Sequence, residues 1–449
     1  MDDLYTSYKD YAYVGFYNFL SPAVLVRDVE LIKDVLIKQF NNFHDNWIRA
    51  DDTVDPIMAK NLFVMRGDEW KIVRTQLTAQ YTGAKVKQMI PMMQEVSKRL
   101  IEYINKQIEV TKSNCFEAKN LATRFTGENV LTCAYGLEGK SFVDDVPVAF
   151  EIGEQIASPH LSVQIKQAIS LFFPLVGRLL NTTFIGSPIP KVFWDMILNT
   201  MKYREENGIV RKDYLDFLRE LRKSKNSPYE VNDTYTVAHA FTFFLDAFET
   251  SAGLLTYTLC ELALHPEIQT KTRTEIETVL EKYKGELSYE ALAECEYLEN
   301  VVFESLRRNP ILPFLSRVCT EEYRFPPPRG PGTGKEVIIE KGTQMFIPVY
   351  GIHRDPQYYP DPDRFNPDRF TEEGKATRPK SVFLGFGDGP RICLGRNYGV
   401  AQIKVVLVAI LNEFELRMSN KTKIPHDRDL IQIINVPKDG MYLELHKRF

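Results

Sequence analysis

The residues best suited to chemistry fall in one stretch, Phe383-Leu-Gly-Phe-Gly-Asp-Gly-Pro-Arg-Ile-Cys-Leu-Gly-Arg-Asn-Tyr-Gly399. A lone cysteine, Cys393, follows three glycines and a proline and precedes two more glycines. Glycine lets a backbone turn tightly and approach a flat ligand closely. Residues 401–414 (AQIKVVLVAILNEF) have helical apolar spacing, so Cys393 sits just ahead of a helix N-terminus. Orphan N–H groups and the helix dipole there favour a thiolate. Arg391 adds a cation suited to a carboxylate. A thiolate in a glycine-rich loop beside an arginine is what axial ligation of haem iron requires. A buried structural cysteine is the commoner fate of a free thiol, and the glycine frame argues against it here.

Three further constellations stand upstream. The pattern over 237–264 predicts a long, mostly apolar helix that holds Asp246, Glu249, Thr250 and Ser251. Two acids and two hydroxyls in such a helix are costly unless they are used. Trp70 and Arg74 are spaced i and i+4, hence on one helix face. Glu304 and Arg307 are spaced i and i+3, and a later arginine, Arg369, lies in Phe365-Asn-Pro-Asp-Arg-Phe370. Taken singly, the last two constellations are ordinary solvated-helix patterns.

The elements that must position these residues are mostly helical. Residues 11–17 and 23–26 predict a hairpin and 29–40 an amphipathic helix. Residues 85–230 are helix-rich, and further helices are expected over 266–284 and 297–308. Residues 309–317 form a proline-punctuated extended segment. Short strands are expected at 337–339 and 345–348, with a last strand marked by Ile431, Ile433 and Ile434. The interrupted apolar pieces at 171–176 and 183–186 are either buried helix ends or a lid that dips into a membrane surface.

Composition sets the bounds. The chain has 449 residues, 44% of them hydrophobic, and 56 basic against 60 acidic residues give a net charge of −4. That balance argues against nucleic acid as the main partner. Six cysteines without a CxxC spacing and seven histidines without a ligand cluster argue against zinc and against a disulfide scaffold. No apolar run approaches the roughly 18–20 residues of a membrane span.

The pattern Phe386, Gly389, Arg391, Cys393, Gly395 resembles the haem-ligand signature of the cytochrome P-450 family. The other constellations match it in order from Trp70 to Gly395. The resemblance implies a mainly α fold with a small β-rich lobe, an α+β arrangement, as one haem-thiolate monooxygenase domain over 1–449. It implies haem b, with Cys393 as axial ligand to the iron and its thiolate favouring O–O cleavage. Trp70, Arg74, Arg317 and Arg391 would bind the haem, with Phe386, Gly389 and Gly395 shaping the ligand loop. Glu249 and Thr250 match the family's acid–alcohol pair, which supplies protons in a site that otherwise excludes water. The alternative for Thr250 is a hydrogen bond back to its own helix. Glu304, Arg307 and Arg369 would support the haem loop without taking part in catalysis.

Asp246, Phe248, Phe314 and Leu315 are the implied substrate-pocket residues. Asp246-Ala247 departs from the family's usual Ala-Gly, and relatives that hydroxylate fatty acids carry a Glu at the position of Asp246. Asp246 would hold a polar substrate group or bond the haem. The resemblance further implies O2, a lipophilic substrate, and NADPH electrons from a separate cytochrome reductase, with cytochrome b5 as a second donor. No GxGxxG or flavin motif lies in the chain. Exposed cations such as Lys71 and Lys404 would meet the reductase. Residues 203–213 resemble the insect branch rich in xenobiotic-detoxifying members. Those enzymes occupy the cytosolic face of the endoplasmic reticulum membrane, and this chain reads as lacking their N-terminal anchor. Two other readings stay open, a reductase-independent isomerase or dehydratase and a degenerate haem-binding protein.

Overall fold

The computed structural model describes residues 1–143, 147–156, 160–186, 189–224, 230–329, 334–426, 434–435 and 437–448. Among the described residues helices dominate, and three small sheets accompany them. The chain divides into two compact units. The first comprises Met1–Trp47, Glu296–Arg396 and Arg428–Val436, and the second holds the remaining residues. Five helices carry or flank the candidate residues: α1 (Gly67–Thr78), α2 (Ala118–Val130), α3 (Asp233–Leu264), α4 (Glu296–Arg308) and α5 (Arg396–Glu413).

The first unit is built on a four-stranded sheet. The expected hairpin is present as β1 (Tyr13–Asn18) and β2 (Ser21–Val26), followed in the chain by β3 (Leu315–Val318) and β4 (Gln344–Ile347). Strand order is β1-β2-β4-β3, with β2 parallel to β4 and the other pairs antiparallel. Leu25, Val26, Phe346 and Ile347 belong to one buried core cluster with Val35, Leu36 and Tyr359. The strand expected at 337–339 pairs instead with Tyr323–Phe325, in a separate two-stranded sheet. The helix expected over 29–40 stops at Lys33, where a π-helical turn over Asp34–Lys38 takes over.

In the second unit α3 starts four residues earlier than its apolar pattern, because Asn232 caps it by accepting from the Tyr235 N–H at 3.1 Å. Most of α3 is buried, chiefly against α2. A three-stranded sheet joins Cys115–Glu117, Tyr442–Lys447 and Phe414–Met418 in that order. Ile431 and Ile433 lie outside the described residues, and Ile434 lies in a bend. Among the described residues no helix is long and apolar enough to cross a membrane.

One buried pair holds the first unit's polar interior. Arg307 donates to Glu304 twice, at 2.7 and 2.9 Å, and both side chains are fully buried. Its remaining donors reach the carbonyls of His353 (2.7 Å) and Pro362 (2.8 Å). Glu304 also accepts the Asn366 N–H at 2.9 Å and lies 3.4 Å from Arg369. Removing one partner of such a pair strands the other as a buried charge. Glu304→Gln should therefore lower unfolding stability by about 3–5 kcal/mol, read as a shift in denaturation midpoint at unchanged m-value.

Candidate functional site

In the first unit the cysteine loop is anchored at both ends. At its start the Leu384 N–H donates to His353 Nε2 at 2.9 Å. Nε2 must then be unprotonated, so the ring proton sits on Nδ1, 3.1 Å from the Arg307 carbonyl. Burial holds this histidine neutral, with its pKa lowered to about 3. At the loop's end the Cys393 N–H donates to the Phe386 carbonyl at 2.7 Å. The Arg396 guanidinium stands 5.5 Å from the rings of both Phe303 and Phe386.

Gly389 has φ +72°, and a Cβ there would lie 2.0 Å from the Leu36 carbonyl oxygen in the π-helical turn. No other residue fits that approach. The helix after the loop starts at Arg396, earlier than its apolar pattern, so Cys393 stands three residues before it.

Cys393 is exposed, whereas Cys133, Cys260, Cys295 and Cys319 are buried and Cys115 is half-buried. Burial pushes the Cys295 and Cys319 thiols up to about 11 and drives Cys133 and Cys260 further upward. Those four suit inert packing. Of the six, Cys393 is the thiol open to a ligand.

Arg317, on β3, is 4% exposed. It donates to Asn46 Oδ1 at 2.9 Å and to the Ser316 carbonyl at 2.7 Å, while its Nε has no partner among the described residues. Desolvation alone lowers its pKa to about 10, with no carboxylate opposing it. A buried guanidinium without an anion fits a group that brings carboxylates, as the two propionates of haem do. Arg391 donates through Nε to the His44 carbonyl, and its guanidinium lies 3.8 Å from Asp45. Phe314 and Leu315 are half-buried where β3 begins, with the Phe314 ring 5.6 Å from Phe346.

In the second unit Trp70 is buried and Arg74 half-buried one turn later on α1. Glu249, 2% exposed, is ion-paired with Lys119 of α2. The Thr250 hydroxyl donates to the Asp246 carbonyl within α3. Each member of the acid–alcohol pair thus has a separate partner. Ser251 accepts from Gln402 of α5 at 2.7 Å, and Gln402 accepts from Asn129 of α2 at 2.9 Å. Burial raises the Asp246 carboxyl to about 7, and the Asn61 carboxamide acts against that rise.

Two expectations are corrected. Phe248 is wholly buried core, not pocket wall: it stacks on Phe244 and fills notches left by Gly127 and Gly153. Lys404 is 3% exposed and cannot be a surface contact, because nearly every side of α5 is covered; Lys71 is exposed. Sequence reasoning missed His353, Lys119 and Asn61. Each lies dozens of residues or more from the group it serves, and no local pattern marks any of them.

The cytochrome P450 family model matches residues 2–443. "Cytochrome P450 6j1" of Blattella germanica is 34% identical, covering 100% of this chain and 87% of that protein. "Cytochrome P450 6k1" of the same insect is 35% identical over 92% and 80% respectively. "Probable cytochrome P450 6a14" of Drosophila melanogaster is 33% identical over 96% and 86%.

Two outcomes follow from this geometry. Cys393→Ser should abolish the strongly red-shifted Soret band of the reduced, carbon-monoxide-bound haem protein, while Cys133→Ser leaves it in place. The second concerns pH. His353 has a depressed native pKa, so its share of stability is complete above about 6.5 and is lost progressively as pH falls toward 3. Between pH 7 and 5 that loss should be about 2 kcal/mol. Denaturation curves of His353→Gln should be correspondingly flatter with pH than those of the wild type.

Proposed function

This chain belongs to the cytochrome P-450 family of haem-thiolate monooxygenases, and from that premise we propose that it inserts one oxygen atom from O2 into a lipophilic organic substrate with NADPH electrons from a separate reductase. The substrate class is a xenobiotic, hormone or fatty-acid-like molecule. The observation that carries the reading is Cys393 itself, the exposed thiol of a glycine-framed loop. Haem b, when bound, supplies the iron at which O2 is activated.

The residues of this chain have distinct parts to play. Cys393 would hold the haem iron through its thiolate, and Phe386, Gly389 and Gly395 would shape its loop. Arg317, Arg391, Trp70 and Arg74 bind the propionates, with the desolvated Arg317 the best suited. Glu304, Arg307 and Arg369 keep the preceding loop rigid. The Thr250 hydroxyl donates a hydrogen bond to the Asp246 carbonyl and so presents its lone pairs to a donor such as water. Glu249 is held by Lys119, whose side chain is 24% exposed, giving the acid a polar route toward solvent. Phe314, Leu315 and Asp246 contact the substrate.

Electrons must be delivered by a partner, because the chain has no dinucleotide or flavin motif. A cytochrome reductase is the main donor and cytochrome b5 a second, and Lys71 is a docking cation. Leu161–Phe172 and Pro174–Leu180 form helices whose Leu161, Leu175, Leu179 and Leu180 are more than half exposed. An apolar surface of that kind supports contact with a membrane face, at the cytosolic side of the endoplasmic reticulum.

With reductase, NADPH and O2, Thr250→Ala or Glu249→Gln should lower product formation about 10²-fold and divert electrons to hydrogen peroxide. Lys71→Glu should slow reductase-driven turnover and leave peroxide-driven turnover intact; equal loss in both would refute the docking role. Turnover of a hydroperoxide or an oxime without reductase would instead favour an isomerase or dehydratase.

A further inference from the structure

We propose that Gln402 is a positioning residue for the turn of α3 that carries Glu249 and Thr250, acting through Ser251 and the Ala247 carbonyl. The inference rests on the monooxygenase reading and deepens it by naming what holds the proton-supplying pair in place.

Gln402 stands in the apolar run of α5 and is fully buried. A carboxamide in such a place is costly unless both its ends are used. Within the second unit both are. Its Nε2 donates to Ser251 Oγ at 2.7 Å and, at a longer 3.3 Å, to the Ala247 carbonyl. Its Oε1 accepts from Asn129 Nδ2 of α2 at 2.9 Å. The same Nδ2 donates to the Tyr398 hydroxyl at 3.0 Å, and Asn129 Oδ1 accepts from the Cys133 thiol at 3.4 Å. Asn129 is fully buried too, and the Tyr398 ring packs edge-on to Phe243 of α3.

These contacts fix which way the Gln402 carboxamide faces. Both hydrogens of Asn129 Nδ2 are used, one on Tyr398 and one on Gln402. Turning Gln402 over would set one NH2 group against the other and leave buried donors facing each other. Its donor end is therefore aimed at α3, and Ser251 Oγ must accept.

The effect on α3 follows from the helix ladder. Each carbonyl of an α-helix takes one N–H, from the residue four positions on. The carbonyls of Asp246 and Ala247 each take a second donor, the Thr250 hydroxyl and the Gln402 carboxamide respectively. Side-chain donors on such carbonyls loosen the ladder locally. Those two carbonyls belong to the turn that presents Glu249 and Thr250. The Thr250 bond lies within α3 and moves with it. The Gln402 bonds come from another helix, so they hold that turn against α5 and, through Asn129, against α2. Proton transfer needs hydrogen-bond reach, and a misplacement of about 1 Å can cost roughly 10²-fold.

The test compares Gln402→Met, which keeps side-chain length and removes the donor, with Ser251→Ala, which removes the acceptor from the other side. Hydrogen–deuterium exchange of the haem-loaded proteins reads the clamp directly. Amides of residues 246–252 should exchange about fivefold faster in both variants, while those of 256–264 on the same helix keep the wild-type rate. Turnover is then read with two oxidants. With NADPH, reductase and O2, product per NADPH should fall about tenfold, and hydrogen peroxide should rise to match. With iodosylbenzene, an oxygen-atom donor that needs no proton, both variants should stay within about twofold of the wild type. The double variant should be no worse than Gln402→Met alone, because the two changes remove one interaction. Unchanged exchange over 246–252, unchanged product per NADPH, or equal loss with both oxidants would overturn the inference. Should Gln402→Met not fold, Ser251→Ala carries the same comparison by itself. A wild type that forms no product with either oxidant sinks the monooxygenase reading, and the exchange rates still decide whether Gln402 holds the turn.

Discussion

The arrangement around Cys393 depends on the buried ion pair of Glu304 and Arg307. The two side chains are spaced i and i+3 on α4, which puts them on one face, and full burial removes the water that would otherwise weaken their attraction. Two charges in such a place are tolerated only when their remaining donors and acceptors are used. Here they reach His353, Pro362, Asn366 and Arg369. The pair therefore organises the backbone around it. His353 carries the constraint onward, because its neutral ring accepts the Leu384 N–H at the entrance to the cysteine loop. A proton on Nε2 would break that link, which is why burial of this ring matters.

The second unit solves a different problem. α3 carries acids and hydroxyls in a largely apolar interior, and each polar group must find a partner or pay its desolvation. Thr242, Thr250, Thr256 and Thr258 bond back to their own helix, Glu249 takes Lys119, and Ser251 takes Gln402. Among the described residues Asp246 pairs with no cation, and Asn61 lies beside it. That leaves Asp246 chemically distinct from the other acids and hydroxyls named here. It stands four residues before Thr250 and shares its helix face.

How much of this was legible follows from the range of each interaction. The cysteine loop, the Trp70–Arg74 and Glu304–Arg307 spacings, the hairpin and α3 rest on contacts within a few residues, so periodicity and glycine placement reveal them in the linear chain. The resemblance to the cytochrome P-450 signature rests on the same short-range patterns. Sequence alone thus determined the family and the mainly helical class, and it singled out Cys393 as the candidate ligand.

Tertiary structure decided everything that depends on burial. Phe248 and Phe314 are both phenylalanines beside motif residues, yet one is sealed between glycine notches and the other keeps an open edge. Lys71 and Lys404 carry the same charge, and only packing exposes the first and covers the second. Lys119 is 130 residues from Glu249, and Asp246 meets Asn61 across a comparable span. No local pattern encodes such pairs, because which charges meet is set by how helices stack and not by the spacing of residues along them. The same packing places no cation on Asp246 among the described residues, and burial raises its carboxyl.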